Sequence, residues 1–427
     1  MSFVRKAFGA AFLFAMLVAA ANAQSDWAQF RGPNRDGICK ETGLLKQWPE
    51  SGPKLLWKLE GLGRGYSTVS IVGNKLYTMG DRKAGGKESQ CVLAYDLDGR
   101  KELWATPIGS PHPDGGPRCT PTVDGERLYV VSTAGDLACL ETATGKIVWQ
   151  KHFEQDFDGM MMSGWRYSES PLVDGEKLVC TPGGNDAALV ALNKTTGETI
   201  WKTQLPKLGD RGKDGAGYSS IIAADIEGTR QYITILGRGA VGVDAATGKF
   251  LWGYNKIANK VANIPSAAVR GNLVFVTTSY ETGSALLRIV KTADGFKAEE
   301  VYFLGPKDFE NHHGGVVLVD GYIYGGSGRN NGTPVCLEFE TGKIAWRGEA
   351  AGKRSAAVLY ADGNLIFRYE NGVVALVEAD PKQYRVRGTF KTAAVNGPSW
   401  PHPVIHDGKL YLRDHDVLMC YDVKAAQ

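Results

Sequence analysis

The chain of 427 residues lacks every arrangement of cysteines that would announce a metal cluster or a haem. Its seven cysteines, at 39, 91, 119, 139, 180, 336 and 420, form no C-x-x-C, no C-x-x-C-H and no adjacent Cys-Cys pair. Basic runs are missing too. The formal net charge is +3, and +1 once Arg5 and Lys6 are set aside, which argues against nucleic acid or an anionic membrane as the main partner. Long apolar runs are scarce. The 14 residues Ala7–Ala20 are too few to span a bilayer as a helix. They follow Arg5-Lys6 and end at Ala21-Asn22-Ala23, so residues 1–23 read as a signal peptide cut before Gln24. The mature chain is expected in the periplasm or outside the cell, with no transmembrane anchor. Beyond this segment no stretch keeps a helical period. There is no Gly-x-Ser-x-Gly, and the Gly-rich GLGRG at 61–65 opens no helix that could make it a phosphate loop.

What is present is a unit that recurs eight times. Its clearest copy is DLACLETATGKIVW at 136–149: an apolar run, an acidic residue, Thr-Gly-Lys, two residues and Trp. The core returns at Thr196–Trp201, Thr247–Trp252 and Thr341–Trp346, more loosely at Trp104, and in degenerate form near Tyr302 and Phe390. The chain ends on the half-unit VLMCYDVKAAQ, while GPKLLWKLEG around Trp57 is an aromatic half-unit with nothing before it. Successive aromatic anchors are 44 to 52 residues apart, the length of one four-stranded propeller blade. Each copy also carries a Gly-containing hairpin, such as VDGERLYVVS or HDGKLYLRD. The pattern therefore predicts an all-β, eight-bladed propeller of four-stranded antiparallel blades over residues 53–427, preceded by an N-terminal extension at 24–52. The strand at 53–60 should complete the last blade and close the ring, removing its open edges.

Six of the ten tryptophans, Trp57, Trp104, Trp149, Trp201, Trp252 and Trp346, occupy the anchor position and are expected to dock between blades as scaffold. Cys139, Cys336 and Cys420 share a repeat position with Ala94, Ala191 and Gly242, a small buried packing site. Cys39 and Cys119 read as loop residues that could pair as a disulfide.

The loops leading into the innermost strands converge on one axis in a closed ring. They place Arg64, Tyr66, Arg118, Trp165, Arg166, Tyr167, Glu169, Tyr218, Asn263, His312, His313, Arg354, Trp400 and His402 around a single funnel. Arginine and aromatic side chains there suit a ligand that is stacked and hydrogen-bonded. Glu169 and His313 are the candidate catalytic groups. His312 and His313 are neighbours on an extended chain, expected to point opposite ways, so no metal site is predicted. Met160, Met161 and Met162 precede Trp165 as an apolar lip or as plain packing.

The A/C-x-[DE/N]-x-x-T-G-x-x-x-W pattern, seen at Cys139–Trp149, Ala191–Trp201, Gly242–Trp252 and Cys336–Trp346, resembles the tryptophan-docking repeat of pyrroloquinoline-quinone (PQQ) propellers. That family includes quinoprotein alcohol dehydrogenases and the non-enzymatic outer-membrane assembly factor BamB. DWAQFRGPNRDGI and NHHGGVVLVDG are similar to stretches of secreted bacterial proteins with the same repeat. The resemblance implies the eight-bladed fold. In the enzymes it implies PQQ held between a Trp and a ring of two adjacent cysteines, beside calcium, with a carboxylate base. This chain has no such cysteine pair and no matching calcium ligands. The leading expectation is a monomeric, non-catalytic platform for a small polar or anionic ligand or a protein partner. The alternatives are a PQQ-dependent alcohol or sugar dehydrogenase with Glu169 or another mouth carboxylate as base, and an envelope scaffold resembling BamB.

Overall fold

Asp-Gly and Gly-Asn pairs turn the chain back on itself wherever the repeat places them. Gly125, for example, sits at φ 57° between Thr122–Asp124 and Arg127–Val131, a conformation a side chain resists. The computed structural model describes residues 26–113 and 115–426; the predicted signal peptide lies outside the described residues. Eight antiparallel sheets follow one another at 70–109, 122–152, 172–203, 222–254, 268–304, 316–347, 356–391 and 404–422. These are blades 1 to 8. The first strands of neighbouring blades pack on one another and line the central channel. Among the described residues one element departs from the expected all-strand pattern, a five-residue helix at Phe153–Phe157, anchored by its buried phenylalanines.

All six docking tryptophans sit opposite a small residue, and four of them also bond to the next blade. In register they face Ala94, Cys139, Ala191, Gly242, Cys336 and Cys420, so a small residue makes room for each indole. The Trp104, Trp149, Trp201 and Trp346 indoles donate across to the next blade, to the carbonyls of Thr142, Lys194, Ala245 and Asp380 at 2.8–3.3 Å. Trp252 instead donates to Gln231 in its own blade at 2.7 Å. Blade 5 has a long Gly283–Thr292/Gly295–Leu304 hairpin where the Thr-Gly turn would receive it. In blade 7 the register sets Gly388 opposite Leu376, and Trp48 of the N-terminal extension fills the gap while Phe390 packs over Gly52.

The ring closes as the sequence predicts. Lys54–Leu59 pairs with Val417–Asp422 and brings Trp57 opposite Cys420. A second device seals the same seam. Arg413 of blade 8, fully buried, donates to Ser67 O, Thr78 Oγ1, Met79 O and Gly63 O in and around blade 1.

The N-terminal extension is not a tail. It enters the channel beside blade 1, where Trp27 bridges Ile71, and passes blade 2, where Ala28 O accepts from Val123. It turns at Arg31–Asp36 and leaves as Ile38–Cys39, which pairs in parallel with Ala356–Ala361 of blade 7. Glu41 and Leu44 then tie it to blades 8 and 7. The extension is thus a plug hydrogen-bonded to the inner strands. This overturns the disulfide reading. All seven cysteines are free and buried; Cys39 is locked in the plug strand, and Cys119 lies by Val131, its thiol pushed up to about 12 by burial.

Candidate functional site

The segment before each inner strand is extended, so alternate side chains face the axis. One set of positions is Tyr66, Arg118, Ser168, Tyr218, Ile264, His313 and Trp400; two residues later come Thr68, Thr120, Ser220, Ser266, Gly315 and His402. All thirteen line one cavity of about 200 Å³, with Phe30 and Arg31 of the plug, Trp165, Tyr280 and His312. Of the residues between these two sets, Pro265 and Pro401 also reach the lining, while Ser67, Cys119, Ser219 and Gly314 do not.

That alternation sorts the fourteen predicted funnel residues. Tyr66, Arg118, Trp165, Tyr218, His312, His313, Trp400 and His402 line the cavity. Arg64, Arg166 and Arg354 are exposed outside its lining. Tyr167, Glu169 and Asn263 do not reach it. Tyr167 donates to Pro182 O at 2.8 Å and packs on Phe153; Asn263 donates to Leu236 O at 2.9 Å. Glu169 is buried between blades, accepting from Thr181 N at 2.7 Å, and burial lifts its carboxyl to about 7.

One wall is a continuous run of rings. Tyr66 stacks on Trp400 at 4.1 Å, Trp400 meets His313 at 5.3 Å, His313 meets His312 at 4.5 Å, and His312 meets Tyr280 at 5.2 Å. The two histidines therefore lie together, against the expectation that they diverge. Behind them sits the buried Glu370, with Oε1 3.1 Å from His313 Nε2. Burial raises the Glu370 carboxyl, but the His313 contact outweighs this and holds it at about 2. His312 is pushed down to about 3, first by burial and then by His313. Opposite, Ser163 Oγ lies 2.6 Å from the Tyr218 hydroxyl, which also accepts from Trp165 N–H at 3.3 Å.

The floor is cationic. Arg31 is completely enclosed, at φ 62°, and bonds Asp36 O and Val316 O through Nη2. Its Nη1 has no partner, and among the described residues no carboxylate pairs with it. Burial lowers its pKa only to about 10, so it stays charged. Arg118 lies 5.6 Å over the Tyr66 ring. No Asp or Glu is among the residues lining the cavity. Sequence reasoning missed Phe30, Arg31, Tyr280 and Glu370. The first two lie in the DWAQFRGPNRDGI stretch, which carries no repeat; the last two follow second strands, Leu273–Thr278 and Asn364–Tyr369, outside the loops that lead into the innermost strands.

The class is thus an eight-bladed propeller whose channel is plugged by its own N-terminus and capped by an aromatic, cationic cavity. The chain belongs to the PQQ-repeat family described as outer membrane protein assembly factor BamB, which it matches over residues 88–347. Among solved structures, BamB from Moraxella catarrhalis superposes with TM-score 0.62 at 12% identity, over 87% of this chain and 99% of that one. Quinohemoprotein alcohol dehydrogenase from Comamonas testosteroni gives 0.64 at 13%, over 96% and 82%. A europium-containing methanol dehydrogenase gives 0.54 at 14%, over 93% and 91%. At such identities these likenesses speak for the fold alone. No curated protein matches the sequence.

Proposed function

We propose that this protein is an exported, non-catalytic platform that holds a planar anionic small molecule in the capped cavity. The observation that carries this is Arg31: a fully buried guanidinium with an unpaired Nη1 and no carboxylate partner, facing aromatic walls. Asp36 offsets the Arg31 charge only in part and forms no ion pair with it, so an anion in the cavity would relieve a costly buried cation. Tyr66, Trp400 and Trp165 supply flat surfaces for stacking.

PQQ, a planar fused-ring quinone bearing carboxylates, fits that chemistry. Arg31 and Arg118 would pair with its carboxylates and the rings would stack on it. Calcium does not fit: it takes six to eight oxygens, usually including carboxylates, and none lines the cavity. Titration of the mature protein with PQQ, by calorimetry and tryptophan fluorescence, tests the reading. One-to-one binding that does not need calcium is expected, weakened at least about tenfold in Arg31→Gln. Absence of saturable binding of PQQ and of other planar carboxylates at high micromolar concentration would refute it.

The His313–Glu370 contact favours the enzymatic alternative, because a cavity histidine oriented by a buried carboxylate is a base-and-orienter arrangement. Dye-linked oxidation of alcohols or sugars, lost in His313→Ala, would establish it. Nothing comparable favours a scaffold of the BamB kind. Five of the exposed apolar residues, Leu56, Leu103, Val148, Ile200 and Val301, each precede a docking aromatic on a different blade and so form no single patch, while Met160, Trp165 and Val261 gather beside the cavity. Recovery of the chain from the periplasm or medium with Gln24 at its N-terminus would confirm export.

A further inference from the structure

His312, His313 and Glu370 come from two blades, yet one donor atom of each lies within 4.8 Å of the others. We propose that these three residues bind a divalent transition-metal ion of the zinc class in the cavity wall, with one coordination position left without a protein ligand.

The donor set decides the class of metal. Two imidazoles and one carboxylate suit zinc and its neighbours and disfavour calcium or magnesium, which take oxygen. His313 Nε2 and Glu370 Oε1 are 3.1 Å apart, close to the edge of a coordination polyhedron built on bonds of about 2.0–2.1 Å. Bringing the third donor from within 4.8 Å to the same spacing takes at most about 1.5 Å of side-chain movement.

The surroundings supply what ligands need to hold their aim. Ser355 N–H donates to Glu370 Oε1 at 3.2 Å, and the Ser355 hydroxyl lies 2.8 Å from His312 Nδ1. The Tyr280 hydroxyl lies 2.8 Å from His312 Nε2. His313 Nδ1 is buried without a partner. Hydroxyls rotate, so either nitrogen of His312 can be released to a metal while the other stays oriented. Both histidines line the cavity and Glu370 stands behind them, so the ion would sit within the cavity wall, between the imidazoles and the buried carboxylate. Three protein ligands leave a fourth position to an exchangeable water.

The test uses the untagged mature protein, stripped with chelator and titrated with zinc alone by calorimetry, then with cobalt(II) followed by its visible absorption. A single zinc per chain is expected, weakened at least about tenfold in His313→Ala and in Glu370→Gln, with a cobalt spectrum of mixed nitrogen and oxygen ligation. His312→Ala should act likewise. Substoichiometric zinc in the wild type, or binding unchanged in all three variants, would overturn the proposal. The wild-type cobalt spectrum keeps the test decisive if a variant fails to fold. Because zinc is titrated without any organic ligand, failure here leaves the anion-binding reading standing, and failure of PQQ binding leaves this one standing.

Discussion

Gly197 and Gly228 both sit at φ 75°, yet their surroundings differ. A methyl group on Gly228 would meet nothing within 4 Å, whereas on Gly197 it would fall 2.8 Å from the Trp149 indole. Gly228→Ala should therefore cost only the strain of a left-handed backbone, about 1 kcal/mol. Gly197→Ala should cost about 2–4 kcal/mol, since the docked indole must also move. Denaturant unfolding of the two variants measures the difference, and equal costs would show that docking contributes little. Glu169 makes a pH-dependent prediction. Its carboxyl titrates near 7 in the folded chain against an ordinary 4.5, so the folded state holds the proton more tightly. The stability this provides is full below pH 4.5 and is lost as the pH rises towards 7, by at most about 3 kcal/mol. Thermal unfolding should show wild type losing stability between pH 5 and 8 relative to Glu169→Gln. A parallel pH dependence in the two proteins would contradict the burial argument. The loop of Glu169 points to the funnel, but the same alternation that brings Ser168 to the cavity turns Glu169 into the blades.

At the scale of elements, the hairpins and docking strands were legible because each rests on local chemistry: a Gly at positive φ, a small residue opposite a Trp, alternation along a strand. The plug was not. Its FRGPNRDG turn has no period and no repeat, and its conformation depends on Arg31 and Arg35 at φ 62° and 59°, which no local preference favours. Acceptors distant in sequence, on Val316, Ser170 and Pro171, join the local ones on Asp36 and Gln29 in holding those two arginines there. Removing residues 26–44 should uncover the faces now covered by Trp27, Cys39 and Leu44, each under 7% exposed. We expect a loss of at least about 3 kcal/mol in stability and a loss of ligand binding, read by calorimetric melting and by PQQ titration. A truncated chain that melts and binds like the full one would show that the plug is dispensable.

For the molecule as a whole, closure is the property on which stability turns. The Velcro strand at Lys54–Leu59 could be foreseen from a half-unit at each end of the chain. The Arg413 staple could not, because its acceptors lie over 330 residues away in sequence and are mostly backbone carbonyls. Arg413→Ala would leave those acceptors buried and unpaired, at a cost of about 3–5 kcal/mol. Amide hydrogen exchange should then rise together in blades 1 and 8, while blades 3 to 5 are affected less; uniform loosening would argue against a seam. The cavity is the other product of the closed ring, since seven blades and the plug contribute to its lining. The most direct test of its role is a crystal structure of the protein with PQQ bound. The account predicts the quinone within the aromatic walls and a carboxylate within ion-pair distance of Arg31 Nη1. A cavity left empty at saturating PQQ, or the ligand bound on the outer rim, would contradict it.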